Sequence, residues 1–277
     1  MGPVGMGGGV DSDRPNVARM YDYFLGGSHN FAADREAAER AAAALPRIRP
    51  LLRHNRAFLG RCVRALLAEG VDQFLDLGSG IPTVGNVHEV AQAADPAARV
   101  VYVDIDAVAV AHGEHLLRDN PNATALQADL RDPAGILDHP AITGLLDFDR
   151  PVAVLLVSVL HFVPDADDPA GIVAAYRDRL APGSHLAISH AWLEDLPPEA
   201  GDVGTFSKVY AQTGTPLTYR TRDQITGLFD RTTLLDPGVV PVPTWRPGKP
   251  LAPELDIHGF GLAGVSRVQP EASWRSR

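Results

Sequence analysis

The sequence predicts an α/β fold: a doubly wound, mostly parallel sheet with an added N-terminal helical segment. Three observations carry this. Short apolar runs alternate with helix-period segments from residue 71 onward, which is the pattern of βαβ units and a parallel sheet. Carboxylates stand at or just beyond the ends of the first three runs, at Asp76, Asp104 and Asp129. The fourth run, Pro151–Val159, has nine consecutive residues that are apolar or Ser, as befits a strand buried on both faces.

The elements follow in order. Residues 1–13 are Gly-rich and read as a disordered leader. From Asn16 to Gly70 the pattern is helical, with Leu45, Ile48, Leu51, Leu52, Phe58, Leu59, Val63, Leu66 and Leu67 at three- and four-residue steps. Gly70 supplies a stop, and Pro46 and Pro50 are expected to break the region into at least two helices. Arg47, Arg49, Arg53, Arg56, Arg61 and Arg64 fall mostly between the apolar positions and read as a solvated face. Residues 14–70 thus form a helical cap. Residues 71–277 form the sheet domain, with an insertion over 195–216. Within it, strands are expected at 73–77, 99–104, 123–128, 151–159 and 184–190, with late candidates at 232–235 and 260–268. Helices are expected at 84–94, 107–118, 170–180 and 221–229. The Pro-rich stretch 237–253 reads as a loop.

Composition excludes several classes. The 277 residues suit one large α/β domain or two small ones. Lys and Arg number 25 against 34 Asp and Glu, a formal charge of −9, which argues against a broad phosphate-binding surface, so no nucleic-acid partner is expected. The longest apolar run is far short of the roughly 20 residues of a membrane span, and the N-terminus lacks the basic and apolar regions of a signal peptide. A cytoplasmic location without membrane association is expected. Cys62 is the sole cysteine, so no intrachain disulfide or Cys-based metal site forms. His112 and His115 are expected on an exposed helix face, and Asp165–Asp168 as the cap of a helix at Pro169. No metal site is expected.

The chemistry lies at the strand ends. In an open parallel sheet, ligands bind beyond the carboxyl ends of the strands, which here are 76–80, 104, 129, 158–161 and 189–190. Asp76-Leu77-Gly78-Ser79-Gly80 joins a strand to a helix, and its glycines permit a sharp turn and close approach of a ligand. The full G-x-G-x-x-G pattern fails, because Thr83 stands at the third glycine. Asp104 follows Gly80 by 24 positions, near the spacing of an acid that accepts from ribose hydroxyls. Asp129 suits an exocyclic amine. Together the three acids point to a nucleoside-type ligand.

Phe74–Pro82, Val101–Asp106 and Ala128–Asp129 resemble the successive cofactor motifs of class I S-adenosylmethionine-dependent methyltransferases, whose sheet is Rossmann-like. Val157–Asp165 resembles the segment after the fourth strand in small-molecule members. Arg14-Pro15, Arg19, Tyr21-Asp22-Tyr23, Leu25-Gly26-Gly27, Asn30-Phe31 and Asp34-Arg35 are similar to the RP…YDY.LGG..NF motif of a high-GC bacterial family in that superfamily. The likeness runs from Arg14 to Val268. It implies S-adenosylmethionine as cofactor and S-adenosylhomocysteine as product. By the resemblance, Gly78, Ser79 and Gly80 approach the methionine part, and Asp76 orients the loop or meets the cofactor's amino group. Asp104 holds the ribose, with Ile105 beside the adenine; Asp129 and Leu130 hold the adenine edge. Ser158, in the segment after the fourth strand, joins the cofactor-binding set. Tyr21, Tyr23, Gly26, Gly27 and Asn30 are expected to form a lid over the cofactor. Its aromatic faces attract a sulfonium with about 0.5–2 kcal/mol, Gly26-Gly27 gives close approach or a hinge, and Asn30 bonds the amino or carboxylate group.

Methyl transfer is an in-line displacement in which the protein chiefly aligns the nucleophile. His161 and His190 follow strands at the ligand edge and are the candidates for a general base, with Tyr21 and Asp22 behind them. Thr205, Phe206, Lys208 and Tyr210 of the insertion are candidates for the pocket wall. The expected function is transfer of a methyl group to a small molecule at oxygen or nitrogen. The alternatives are an NAD-dependent oxidoreductase and a non-catalytic S-adenosylmethionine- or S-adenosylhomocysteine-binding protein. Against NAD stand the long helical leader and the missing third glycine.

Overall fold

A computed structural model describes residues 11–83, 85–194, 196–251, 259 and 261–270. Expectations that fall on residues 1–10, Val84, Asp195, 252–258, Phe260 and 271–277 lie outside the described residues. Within the expected leader, residues 11–13 form a turn in which Asp11 Oδ1 accepts from the backbone N–H groups of Asp13 and Arg14.

Five parallel strands build the sheet: β1 (Gln73–Leu77), β2 (Arg99–Asp104), β3 (Ala123–Gln127), β4 (Ala153–Val157) and β5 (His185–His190). Three further strands, β6 (Thr232–Leu234), β7 (Val240–Pro241) and β8 (Leu262–Val268), complete it. The order is β3-β2-β1-β4-β5-β8-β6, with β7 also on β8. All pairings among β1–β5 are parallel, whereas β8 runs antiparallel to its neighbours. The sheet order reverses between β1 and β4, so the ligand crevice is expected beyond their carboxyl ends.

Alternate residues of each strand feed two cores. On one face Phe74, Val100 and Leu155 meet Phe58, Val63 and Leu66 of the helix α3 (Ile48–Ala68). On the other, Leu75, Val101, Val154 and Ile188 meet Ile172, Val173 and Tyr176 of a later helix, Pro169–Arg177. Asp168 caps that later helix by accepting from Gly171 N, as the sequence suggests.

A third apolar cluster joins α1 (Val17–Phe24), α2 (Ala32–Ala44) and the start of α3. Pro46 separates α2 from α3, but Pro50 lies in the first turn of α3 and does not break it, because a first-turn N–H has no helical partner to lose. Phe206, Val209 and Tyr210 of the helix Val203–Ala211 complete this cluster. The expected insertion therefore packs on the cap. Thr205 and Lys208 point away as exposed residues, contrary to their expected place in a pocket wall, and Thr205 bonds its own N-cap, Asp202.

The cap is tied to the sheet by buried polar contacts. Arg19 bonds Asp34 at 2.8 Å and Asp106 at 3.3 Å. The expected loop 237–253 contains β7 and a 3-10 turn, and it delivers Trp245, fully buried, edge-on to Phe58 at 5.4 Å. Arg61 donates to the carbonyls of Trp245 and Val242, so it is not on a solvated face. His112 also departs from expectation: its ring lies against that of His29, centroids 3.6 Å apart and planes tilted by 36°.

Candidate active site

The crevice beyond β1 is shaped by glycine. Gly78 has φ +70°, and a Cβ there would overlap the side chain of Val159, so both backbone and space require glycine. Gly80, at φ +65°, donates its N–H to Asp104 Oδ2 at 2.7 Å. Asp104 Oδ1 accepts from Asp106 N at 2.8 Å. One carboxylate thus fixes the loops after β1 and β2. Where the third glycine is missing, Thr83 Oγ1 accepts instead from Arg56 of α3 at 3.4 Å.

Burial dominates the electrostatics. It pushes the Asp76 carboxyl up to about 7, with Arg56 opposing and Asp104 adding. It pushes Asp104 up to about 6, against the hydrogen bonds from Asp106 and Gly80. Asp129 behaves oppositely: burial raises it, but the hydrogen bonds and charge of Arg131 prevail and hold it below the ordinary carboxylate range. Arg56 presents a buried Nε with no hydrogen-bond partner, and its guanidinium lies 6.0 Å from the Tyr21 ring centroid.

These residues surround a cavity of about 400 Å³, the size of a small-molecule site. Tyr21, Asp76, Gly78, Ser79, Gly80, Asp104, Ile105, Asp129, Leu130 and Ser158 all line it. Ile105 is 60 % exposed, which makes it an apolar platform at the mouth. Four expected residues do not line it. Tyr23 donates to Glu39 and meets Arg49 on its ring. Gly26, Gly27 and Asn30 belong to a turn folded over Asp22, which is fully buried. Asp22 Oδ2 accepts from His29 N and Asn30 Nδ2, and its carbonyl accepts from Gly27 N. The turn collects donors around a buried carboxylate, which would otherwise pay a large desolvation cost, and so is drawn away from the cavity.

A smaller cavity, about 70 Å³, adjoins the first. Val17, Tyr21, Asn55, Ser158 and Phe162 line both. Ser158 holds φ +63°, a strained conformation for a residue with a Cβ, and its N–H donates to Ser189 Oγ at 3.0 Å. His161 and His190 line the smaller cavity. Burial, with Arg220 and His190 adding, drives His161 well below its usual range, and burial lowers His190 to about 4. Burial raises Tyr21. At neutral pH all three are uncharged.

A family model for S-adenosyl methyltransferases matches residues 6–269. The chain belongs to that family. It is an S-adenosylmethionine-dependent methyltransferase, with S-adenosylhomocysteine as product, and this sets aside the oxidoreductase and non-catalytic readings. It is 41 % identical to a Thermobifida fusca protein assigned as a methyltransferase, over 93 % of this chain and 96 % of that one, with a TM-score of 0.86. It is 36 % identical to a DUF574-family protein from Streptomyces avermitilis, over 94 % and 99 %, with a TM-score of 0.88. No curated protein matches the chain. No helix among the described residues is long and apolar enough to cross a membrane, and no cluster of His, Cys, Asp or Glu among them is placed to hold a metal ion.

Sequence reasoning missed Asn55 and Arg56, and read Arg56 as part of a solvated face. One signal was present: Asn55 stands in the apolar stripe, between Leu52 and Leu59 at helical spacing. A polar residue on a buried face needs a partner, and here it has two, Tyr21 and Ser189.

Proposed function

We propose that this methyltransferase binds its cofactor in the larger cavity and a small-molecule acceptor in the smaller one, with transfer at oxygen or nitrogen across their junction. The observation that carries the reading is that two cavities share Val17, Tyr21, Asn55, Ser158 and Phe162, the larger lined also by Asp76, Asp104 and Asp129 and the smaller by no carboxylate among the described residues. Residues 14–70 with the 195–216 insertion act as a cap over a Rossmann-like domain of residues 71–277.

The residues fit the group. Gly78, Ser79 and Gly80 give its methionine part a cradle without side chains in the way. Arg56, with its unpartnered buried Nε, suits the carboxylate, and Asp76 suits the ammonium. Asp104 retains lone pairs for the ribose hydroxyls, Ile105 covers the adenine, and Asp129 with Leu130 meets its edge. When bound, the cofactor supplies a methyl group already activated on a positive sulfur. The Tyr21 ring, which lines both cavities, would favour positive charge at their junction. The cap excludes water, which strengthens each electrostatic contact inside, and Ser158 and Asn55 align the acceptor at the junction.

Isothermal titration with S-adenosylmethionine, S-adenosylhomocysteine and NAD tests the site. Micromolar binding of both sulfur compounds, lost in Asp104→Ala, is expected. Unchanged affinity in that variant removes Asp104 from the site.

A further inference from the structure

The hydrogen bonds of the smaller cavity fix the proton positions on both histidines. Arg220 is buried and spends its guanidinium on Leu160 O, Val163 O, Asp165 and His190 Nε2. A guanidinium only donates, so His190 Nε2 accepts, at 2.8 Å. His190 Nδ1 faces the carbonyl of Ala191 at 2.7 Å and must donate. The Ala191 N–H in turn donates to His161 Nδ1 at 3.3 Å, which leaves the proton of His161 on Nε2. Each ring therefore has its lone pair occupied, and neither can take a proton from a substrate without breaking its contact.

The remaining wall supplies no substitute. Among the described residues lining this cavity there is no Asp, Glu, Lys or Arg. Asp76 lines only the larger cavity. Tyr21 accepts from Asn55 and donates to Leu52 O. The other polar groups are the neutral side chains of Asn55, Ser158, Ser189, Tyr210 and Tyr219, none of them a base, and the rest is aliphatic or glycine with the rings of Phe162, Trp192 and Phe206, so burying an unpaired charge there is costly.

From this geometry we infer that the methyl acceptor is a compact, uncharged, largely apolar nitrogen base, attacking through one neutral nitrogen lone pair and held at a second, separate acceptor atom by a hydrogen bond from His161 Nε2. The inference rests on the two-cavity reading above. The balance needs no base. The N–CH3 bond forms as the S–CH3 bond breaks, sulfur keeps the bonding pair, and the positive charge passes from sulfur to nitrogen. No proton moves in that step. A hydroxyl acceptor would have to lose a proton, and no group in the wall is free to receive it. The cationic product then meets a cavity without a carboxylate, which favours its release. His161 is a donor to the acceptor molecule, and His190 and Arg220 are positioning residues.

The test uses the full chain, 3-acetylpyridine, phenol and benzoate as probes, and S-adenosylmethionine labelled in its methyl group. In 3-acetylpyridine the ring nitrogen attacks while the ketone oxygen accepts from His161 Nε2. Cofactor binding is measured first by calorimetry; if it fails, the two-cavity reading fails and the assignment of the acceptor falls with it. In protein that binds the cofactor, 3-acetylpyridine is expected to be methylated, phenol to react slower by about a hundredfold or more for want of a base, and benzoate to be excluded. Leu51→Trp, which fills the smaller cavity, is expected to abolish methylation of 3-acetylpyridine and leave cofactor affinity intact. Comparable turnover of phenol, tight binding of benzoate, or no turnover of 3-acetylpyridine overturns the inference. His161→Gln retains a donor and is expected to raise KM severalfold, with little change in kcat and in the pH profile. A loss of kcat by about a hundredfold or more, with loss of the acidic limb, identifies His161 as a base and also overturns it.

Discussion

Asn55 on α3 and Ser189 on β5, 134 positions apart, are joined by a buried hydrogen bond of 2.6 Å in which the Ser189 hydroxyl donates to Asn55 Oδ1. The Asn55 amide nitrogen donates to the Tyr21 hydroxyl at 3.1 Å, and Ser189 Oγ accepts from Ser158 N. One side chain thus links α1, α3 and the ends of β4 and β5 at the junction of the two cavities.

Asn55→Ala is expected to strand the Ser189 hydroxyl, at a cost of about 1–3 kcal/mol for an unsatisfied buried group. Urea denaturation measures this. Cofactor affinity should fall as well, because Tyr21 and Ser158 lose their common anchor. Unchanged stability would show that water replaces the amide.

Asp76 and Asp104 are expected to make cofactor binding pH-dependent. Both carboxyls lie above their ordinary range in the cofactor-free protein, near 7 and 6. The folded state therefore holds protons that the unfolded state releases, and stability from these groups falls as pH rises from about 4 towards 7. An ammonium at Asp76 lowers its pKa and expels a proton, so affinity should weaken below about pH 7. Calorimetry in buffers of differing ionisation enthalpy should detect proton release. Asp76→Asn is expected to raise the melting temperature of the cofactor-free protein at pH 8 while weakening binding.

Gly78→Ala is expected to cost about 1–2 kcal/mol for its left-handed backbone, and more for the overlap with Val159. Val159→Ala in the same chain removes the nearest methyl but keeps the Cβ, 2.7 Å from the added carbon, so it relieves part of the overlap and none of the φ preference. Partial rescue of stability in the double variant, by thermal denaturation, would separate the two contributions.

Arg56→Ala is expected to weaken S-adenosylmethionine by about ten- to a hundredfold, the value of a charge-assisted hydrogen bond. Decarboxylated S-adenosylmethionine should bind both proteins nearly alike. An equal loss for both ligands would place Arg56 away from the carboxylate.

Asp104 was readable because its signal is local: a carboxylate ends an apolar strand at a fixed distance from a Gly-x-Gly turn. Tyr23, Gly26, Gly27 and Asn30, expected in a lid, do not line the larger cavity: Tyr23 turns to Glu39, and the turn holding the other three satisfies a different demand. Asp22 is buried by α1, and the following turn folds back to supply it with donors. The identity of those residues gives no sign of which carboxylate they serve.

By itself, the sequence determined the alternation of strands and helices, the glycine turn at 78–80 and the acids at the strand ends. Each of these follows from the period of a short segment or from the backbone freedom of one residue. The tertiary structure alone decided that Arg56 reaches the larger cavity, that the helix 203–211 completes the apolar cluster of α1 and α2, and that Arg220 and Ala191 occupy the histidine lone pairs. Those facts depend on contacts between residues far apart in the chain. Packing of the apolar faces brings them together, and a hydrogen bond then forms wherever a buried polar atom would otherwise be left unpaired.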